Sequence, residues 1–213
     1  MEKRKLILIG GGGHCKSCID VILSANAFEI HGILDVKEKI GNNVLGYRII
    51  DTDAALDMFS AGEYIFLITV GQIKSSGLRS QLYEKIRHTG RDLATVISAN
   101  AVVSKHSSIG AGSVVMHGAK INAEASIGAN GIINTNALIE HDCYVGDHTH
   151  ISTGAILNGE CKVGKGAFIG SASVLLNGVA VGDNIVVGAG AVVNRSLSVP
   201  GVYVGNPCRK ISE

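Results

Sequence analysis

The chain of 213 residues has almost no net charge, at +1, and nowhere gathers five Lys or Arg in a row. Nucleic acid and anionic membranes therefore find no general electrostatic attraction, and an anionic ligand has to be held by a local site. It also lacks a long hydrophobic run near its start. MEKRKLILIGGGGH sets only four apolar residues between charges and glycines, too few for a signal-peptide core or a membrane span. A cytoplasmic location is the default expectation. Five cysteines, an odd number, without an export signal argue for thiols over a disulfide framework. With 46% apolar and 17% charged residues, the composition is that of a globular protein.

What the sequence does have is a period. From Ala101 it divides without insertion into sixes, among them ASIGAN, GIINTN, ALIEHD, CYVGDH, THISTG and AILNGE. The third residue of every one of the seventeen units, from Val103 to Val199, is aliphatic. A helix needs a period near 3.6 and an amphipathic strand a period of 2, so a strict six points to a solenoid of short parallel strands. Three units would close an eighteen-residue triangular coil, and stacked coils would pair as parallel strands with the third-position aliphatics inside. The reading is a parallel β-helix of five to six coils.

The first hundred residues follow other rules. KLILIGGGGH is a buried strand entering a glycine turn, CKSCIDVILSAN a helix, FEIHGILD a second strand ending at Asp35, EYIFLITVG a third strand, and SSGLRSQLYEKIRHTG a second long helix. GNNVLGYRIID reads as a loop with one short strand, and ALDMF as a short helix. The alternation predicts a small three-layer, Rossmann-like α/β domain over 1–98, followed by the β-helix over 99–213.

Several residues carry candidate chemistry. Gly10, Gly11, Gly12, Gly13 and His14 follow a strand and open a helix, where free N–H groups attract phosphate. Asp35 stands where an acid grips a ribose in dinucleotide sites, but GGGGHC does not complete GxGxxG. A nucleotide-diphosphate ligand and a purely structural turn both fit. Cys15 and Cys18 form CxxC at the helix start, readable as redox chemistry or as packing. Cys143 and Cys161, one coil apart, read as small fillers.

The histidines of IEHDCYVGDHTH come next. His141 is fifth in its hexad, and Gly159 holds the same slot one coil later, leaving space for a substrate beside the imidazole. Glu124, Asp142 and Glu160 fall in one column and should repel unless a cation or shared proton relieves them. His148 and His150 occupy other slots, so a three-histidine zinc site is a weaker reading than a general base at His141.

The N-terminal GGGGH domain, the uninterrupted hexapeptides, NTNALIEHD and VGDHTHI together closely resemble one branch of the hexapeptide acyltransferases. That branch holds the sialic acid O-acetyltransferases and the bacillosamine and perosamine N-acetyltransferases. The resemblance implies a left-handed helix, acetyl-CoA as co-substrate without a metal, and a homotrimer. It implies His141 as general base oriented by Asp142, Asn134 and His150 lining the acetyl-transfer site, and Gly10 to His14 with Asp35 facing a nucleotide-activated amino sugar. Arg209 and Lys210, in a tail that departs from the family's usual GVPAKR-like form, are candidates for the coenzyme phosphates. The expected activity is N-acetylation of a nucleotide-linked amino-deoxy sugar; O-acetylation of sialic acid is the alternative.

Overall fold

The computed structural model describes residues 3–212. Its N-terminal part is a five-stranded sheet in the order β3-β4-β2-β1-β5, with β1 at Arg4–Ile9, β2 at Phe28–Leu34, β3 at Asn43–Val44, β4 at Tyr47–Asp51 and β5 at Tyr64–Ile68. All neighbours run parallel except the edge pair β3 and β4. One short strand was expected in GNNVLGYRIID, and a hairpin is found. Leu45 and Gly46 both take positive φ, 47° and 88°, the conformation of a two-residue turn that matches strand twist. ALDMF lies in a 3-10 turn, Asp53–Met58.

A strand buried on both faces reads as continuous apolar sequence, and β1 shows why. Leu6 and Leu8 pack with Cys18, Ile19 and Ile22 of α1 (Gly13–Ala25). Ile7 and Ile9 face the other way, towards Leu82 and Ile86 of α2 (Gly77–His88). The far side of α1 is covered too, because the same cluster includes Val96, Val114 and Ile132 of the β-helix. No helix among the described residues is long and apolar enough to cross a membrane.

The C-terminal part is a left-handed parallel β-helix with three sheets. The first carries Val96–Ile97 and His150–Ile151, the second Leu138–Ile139 and Val192–Val193, and the third Tyr144–Val145 and Ala180–Val181. Each strand pairs in register with the one eighteen residues on, as in Ile139 with Leu157. Third-position side chains from Val115 to Val193 are all buried in one cluster. The stack begins at Val96–Ile97, paired to Val114–Val115, just ahead of the 98/99 division read from the sequence.

From Gly112 to Gly190 each corner is closed by the sixth residue of a hexad in the left-handed region, among them Glu124, Asn130, Asn136, Asp142, His148 and Glu160, with φ from 54° to 65°. Gly, Asn and Asp tolerate that region best, which accounts for much of the column's composition. The period fails at the end. Val199 was expected inside and is 55% exposed. Val181 pairs with Leu197, and Val187 with Tyr203, so the last coil is two residues short and Leu197 and Tyr203 fill the interior instead.

Two polar side chains pin the domains together. Arg79 on α2 is fully buried and donates to the carbonyls of Ile68, Val70 and Asn130 and to Asn130 Oδ1. Asn130 Nδ2 returns a bond to the Arg79 carbonyl at 3.2 Å. Gln72 Nε2 donates to the carbonyls of Gly166 and Ala167 on the β-helix. Burial lowers the Arg79 pKa to about 10. A buried cation held by oxygen acceptors is costly to strand. Asn130→Ala should therefore destabilise the protein by about 3 kcal/mol in denaturant unfolding, and a change below about 1 kcal/mol would show the pin to be dispensable.

Candidate active site

Two clusters of the sequence-predicted residues form, on different sides of the β-helix. The first sits on the corner between the second and third sheets. There the αL turn at Asp142 (φ 61°) folds its carboxylate back on its neighbour, and Oδ2 lies 2.7 Å from His141 Nδ1. That bond raises the His141 pKa above its ordinary 6.5, with the charges of Asp142 and Glu140 adding and burial opposing. A carboxylate accepts, so neutral His141 carries its proton on Nδ1 and leaves the Nε2 lone pair free.

The space expected beside the imidazole is filled by the imidazole. A Cβ on Gly159 would lie 2.7 Å from both Cε1 and Nε2 of His141, so the ring leans over the next coil. The carboxylate column also differs from expectation. Only Asp142 gains a ring N–H partner, His141, among the described residues, while Glu124 and Glu160 are exposed, where water screens their repulsion.

The second cluster lies between the first sheet and the N-terminal domain. His150 is 6% exposed; its Nδ1 donates to the Gln72 carbonyl at 2.8 Å, and Nε2 accepts from Asn134 Nδ2 at 3.0 Å. Asn134 Oδ1 takes the Thr135 N–H at 2.7 Å, which fixes the amide's orientation. The ring of His14 stands 6.4 Å from that of His150, with its Nε2 buried and without a hydrogen-bond partner among the described residues. Burial, then the charges of Arg79 and of His150, push His14 down to about 3; burial pushes His150 to about 4. Both are neutral at pH 7.

Beside His14 opens a cavity of about 530 Å³, lined by Gly10, Gly12, Gly13, His14, Asp35 and Lys39 among others. Gly10 is at φ 103°, and a Cβ there would strike Val70, so the loop must be glycine. Asp35 braces the loop: Oδ2 accepts from Gly11 N–H and Lys39 Nζ, and Oδ1 from Val36 N–H. Burial alone would raise its pKa; the Val36, Gly11 and Lys39 bonds outweigh that and hold it below its usual value. A Cβ on Gly11 would press on Ile49, Asp35 and Val44 at 3.0 to 3.4 Å, so Gly11 is tightly packed. Lys39, Gln72 and Arg79 were missed in sequence; Lys39 had the one readable signal, four residues after Asp35.

The remaining candidates separate from these clusters. Cys15 and Cys18 are fully buried, and desolvation raises both thiols, Cys15 to about 11, which is packing and the reverse of redox activation. Cys143 points into the core and donates to the Asn158 carbonyl; the contact with Cys161 and burial raise its pKa. His148 packs on Tyr83, so His141, His148 and His150 do not converge. No group of three or more His, Cys, Asp or Glu among the described residues is placed to hold a metal ion. Arg209 and Lys210 belong to a final strand, Arg209–Ser212, on the first sheet.

Residues 5–86 match the family model PglD N-terminal domain, and residues 160–195 match the bacterial transferase hexapeptide (six repeats). No curated protein matches. The acetyltransferase domain of PglB from Neisseria gonorrhoeae FA1090, solved also with acetyl coenzyme A, is 30% identical with a TM-score of 0.90. The match covers 98% of this chain and 100% of that one. PerB from Caulobacter crescentus, solved with CoA and GDP-perosamine, is 32% identical with a TM-score of 0.89, over 98% and 97%. The chain belongs to the hexapeptide-repeat acyltransferase family of these sugar acetyltransferases. WeeI from Acinetobacter baumannii AYE, 23% identical with a TM-score of 0.87 over 98% of this chain and 100% of that one, shares the fold.

The bare Cα of Gly159 is what leaves room for the His141 ring where it lies. Gly159→Ala should lower kcat by about 100-fold through displacement of the ring while leaving the melting temperature unchanged. Full activity in that variant would show that the ring's position over Gly159 is not the reactive one.

Proposed function

We propose that the protein is an acetyl-CoA-dependent N-acetyltransferase acting on the amine of a nucleotide-linked amino-deoxy sugar, of the UDP-4-amino-sugar or GDP-perosamine type. The observation that carries the reading is the His141–Asp142 pair, which leaves Nε2 without a hydrogen-bond partner among the described residues. The cavity under the Gly10 to His14 loop adds a place for the nucleotide, with helix N–H groups and Lys39 available to the diphosphate. PerB, similar over the whole chain, was solved with such a nucleotide sugar.

The acceptor amine, as the free base, attacks the thioester carbonyl, and the C–N bond forms as the carbonyl electrons move to oxygen. His141 Nε2 takes the amine's proton, while Asp142 holds the tautomer and stabilises the imidazolium. The Gly159 N–H, unused by any hydrogen bond among the described residues, is suited to receive the oxyanion. Collapse breaks the C–S bond, and the proton on His141 goes to the departing thiolate. The thioester is already activated, so the step calls for no metal. Cys143 cannot replace the direct route, because its sulfur faces the core.

His141 sits on the corner opposite the first sheet, and that sheet is the one the nucleotide domain covers. One chain therefore cannot bring His141 to its own His14 cavity. A homotrimer can, by setting this corner against the neighbour's cavity, with Asn134 and His150 lining the junction; closed cyclic assembly suits a prism. Leu138, Ile156, Val174 and Val192 form a half-buried aliphatic row on the outside of the second sheet, a surface suited to burial between copies. The proposal includes residues 1–98 as the nucleotide-holding unit and a cytoplasmic location.

Thiol release from acetyl-CoA should be rapid with one of a panel of UDP-, GDP- and dTDP-linked 4-amino sugars. Turnover with sialic acid alone would move the assignment to O-acetylation. With the right acceptor, His141→Ala should lower kcat by about 10² to 10⁴. The base works only when neutral, and its pKa is raised, so kcat/KM should rise with pH through a midpoint above 6.5; Asp142→Asn should bring that midpoint down.

A further inference from the structure

Where α2 and the loop before it meet the β-helix, two amides have their hydrogen-bond direction fixed. Asn130 Oδ1 is occupied by the Arg79 guanidinium, which can only donate, so Asn130 Nδ2 faces His148 Nδ1 at 2.9 Å as a donor. Asn134 Oδ1 is occupied by the Thr135 N–H, so Asn134 Nδ2 likewise donates to His150 Nε2. Each ring therefore offers a lone pair to an amide that cannot turn round. The other nitrogen of a neutral imidazole already carries its proton, so a second one would have to go on the nitrogen that faces the amide. That would set N–H against N–H, and the contact would break.

The surroundings do little to offset an added positive charge. Arg79 is already a buried cation on the same Asn130 amide. It is the charged neighbour of His150, and His14 faces both Arg79 and His150. His148 lies half-buried with its ring edge-on to Tyr83 of α2, the centroids 5.2 Å apart. Asp147 and Glu84 face it, and so do Arg79 and Lys165. Asp147 is held at the Ala129 N–H, and among the described residues neither carboxylate forms an ion pair with the ring. Burial, the largest cause for all three histidines, holds them below the ordinary 6.5.

We propose that this contact is an acid-sensitive clasp, in which protonation of His148, with His150 and His14 beside it, breaks the Asn130 and Asn134 links and frees the α/β domain from the first sheet while the β-helix stays folded. The clasp is independent of the acetyl-transfer reading. Asn130 is its joint, because one amide serves both His148 and Arg79; once it is displaced, the guanidinium keeps only the Ile68 and Val70 carbonyls of its own domain. The docked state holds these rings below their ordinary pKa and so binds fewer protons than the freed state. Docking is therefore complete above pH 6.5 and weakens as the pH falls below it, by up to about tenfold per pH unit for each histidine. Gln72 and His14 also line the glycine-loop cavity, so release would dismantle that cavity as well.

Hydrogen exchange of the full chain, corrected for the intrinsic rate, should be compared at about pH 7.5 and about pH 5.5. At the lower pH, α2 and the loop before it should lose protection while the second and third sheets keep theirs. Equal loss throughout, or no loss in α2, would overturn the clasp. His148→Asn isolates the central residue: Asn Oδ1 falls where Nδ1 was, accepts from Asn130, tolerates the φ of 57° and takes up no proton. Between the same two pH values, at fixed protein concentration, the unfolding equilibrium in denaturant should shift less in this variant than in the wild type, by up to about tenfold. Only the change with pH is read, so a general loss of stability from the lost Tyr83 contact does not enter. A pH dependence identical to that of the wild type would overturn the role of His148 and leave it a packing residue.

Discussion

The structure depends on one constraint: every eighteen residues the chain must return to the same place, about 4.8 Å higher. An aliphatic residue inside and an αL residue at each corner are what that return requires, and they recur from Val115 to Val193 with little variation. Because the register does not drift, a side chain's height and face follow from its number alone. Chemistry placed on such a scaffold is held by backbone geometry more than by packing. The turn at Asp142 sets the carboxylate against His141, and the bare Cα of Gly159 one coil up gives the ring its resting place.

The same regularity explains why the candidate site divides. A prism has an inside too narrow for a ligand, so function has to lie on corners and in clefts with other parts. One cleft forms inside the chain, where the α/β domain docks on the first sheet through Arg79, Gln72 and the apolar face of α1. It holds two desolvated, neutral histidines and a glycine loop. The other feature, the His141 corner, faces outward in an acidic setting that raises its basicity. A buried imidazole with a lowered pKa makes a poor general base at neutral pH; an exposed, carboxylate-backed one makes a good one. The electrostatics thus favour His141 over His14 and His150 as the proposed base.

Much of this was legible in the sequence because period and neighbour relations are local properties. The hexads gave the strands and the interior, the family resemblance gave the His141–Asp142 pair, and glycines after a strand gave the loop that opens α1. Relations set by tertiary contact were not legible. Nothing in GGGGH says that Asp35 will brace Gly11 from 24 residues away, and nothing near Arg79 says that its partner is Asn130. Spacing placed Gly159 beside His141 but not the ring over it. The period also concealed its own end: Val199 keeps the aliphatic pattern yet lies outside, because two residues are missing from the last coil and Leu197 and Tyr203 take the interior. Pattern reports which residues are alike; the register of hydrogen bonds decides where they sit.

The central claim is that acetyl transfer needs His141 of one chain and the glycine-loop cavity of another. Subunit complementation tests it most directly. A His141→Ala chain and a chain with its cavity filled by Gly12→Phe, each inactive alone, would be mixed under conditions that exchange subunits and assayed for thiol release. Random reassociation should restore about a quarter of wild-type activity, since only junctions pairing an intact His141 with an intact cavity would work. No recovery after verified exchange would contradict the account and return the whole site to a single chain.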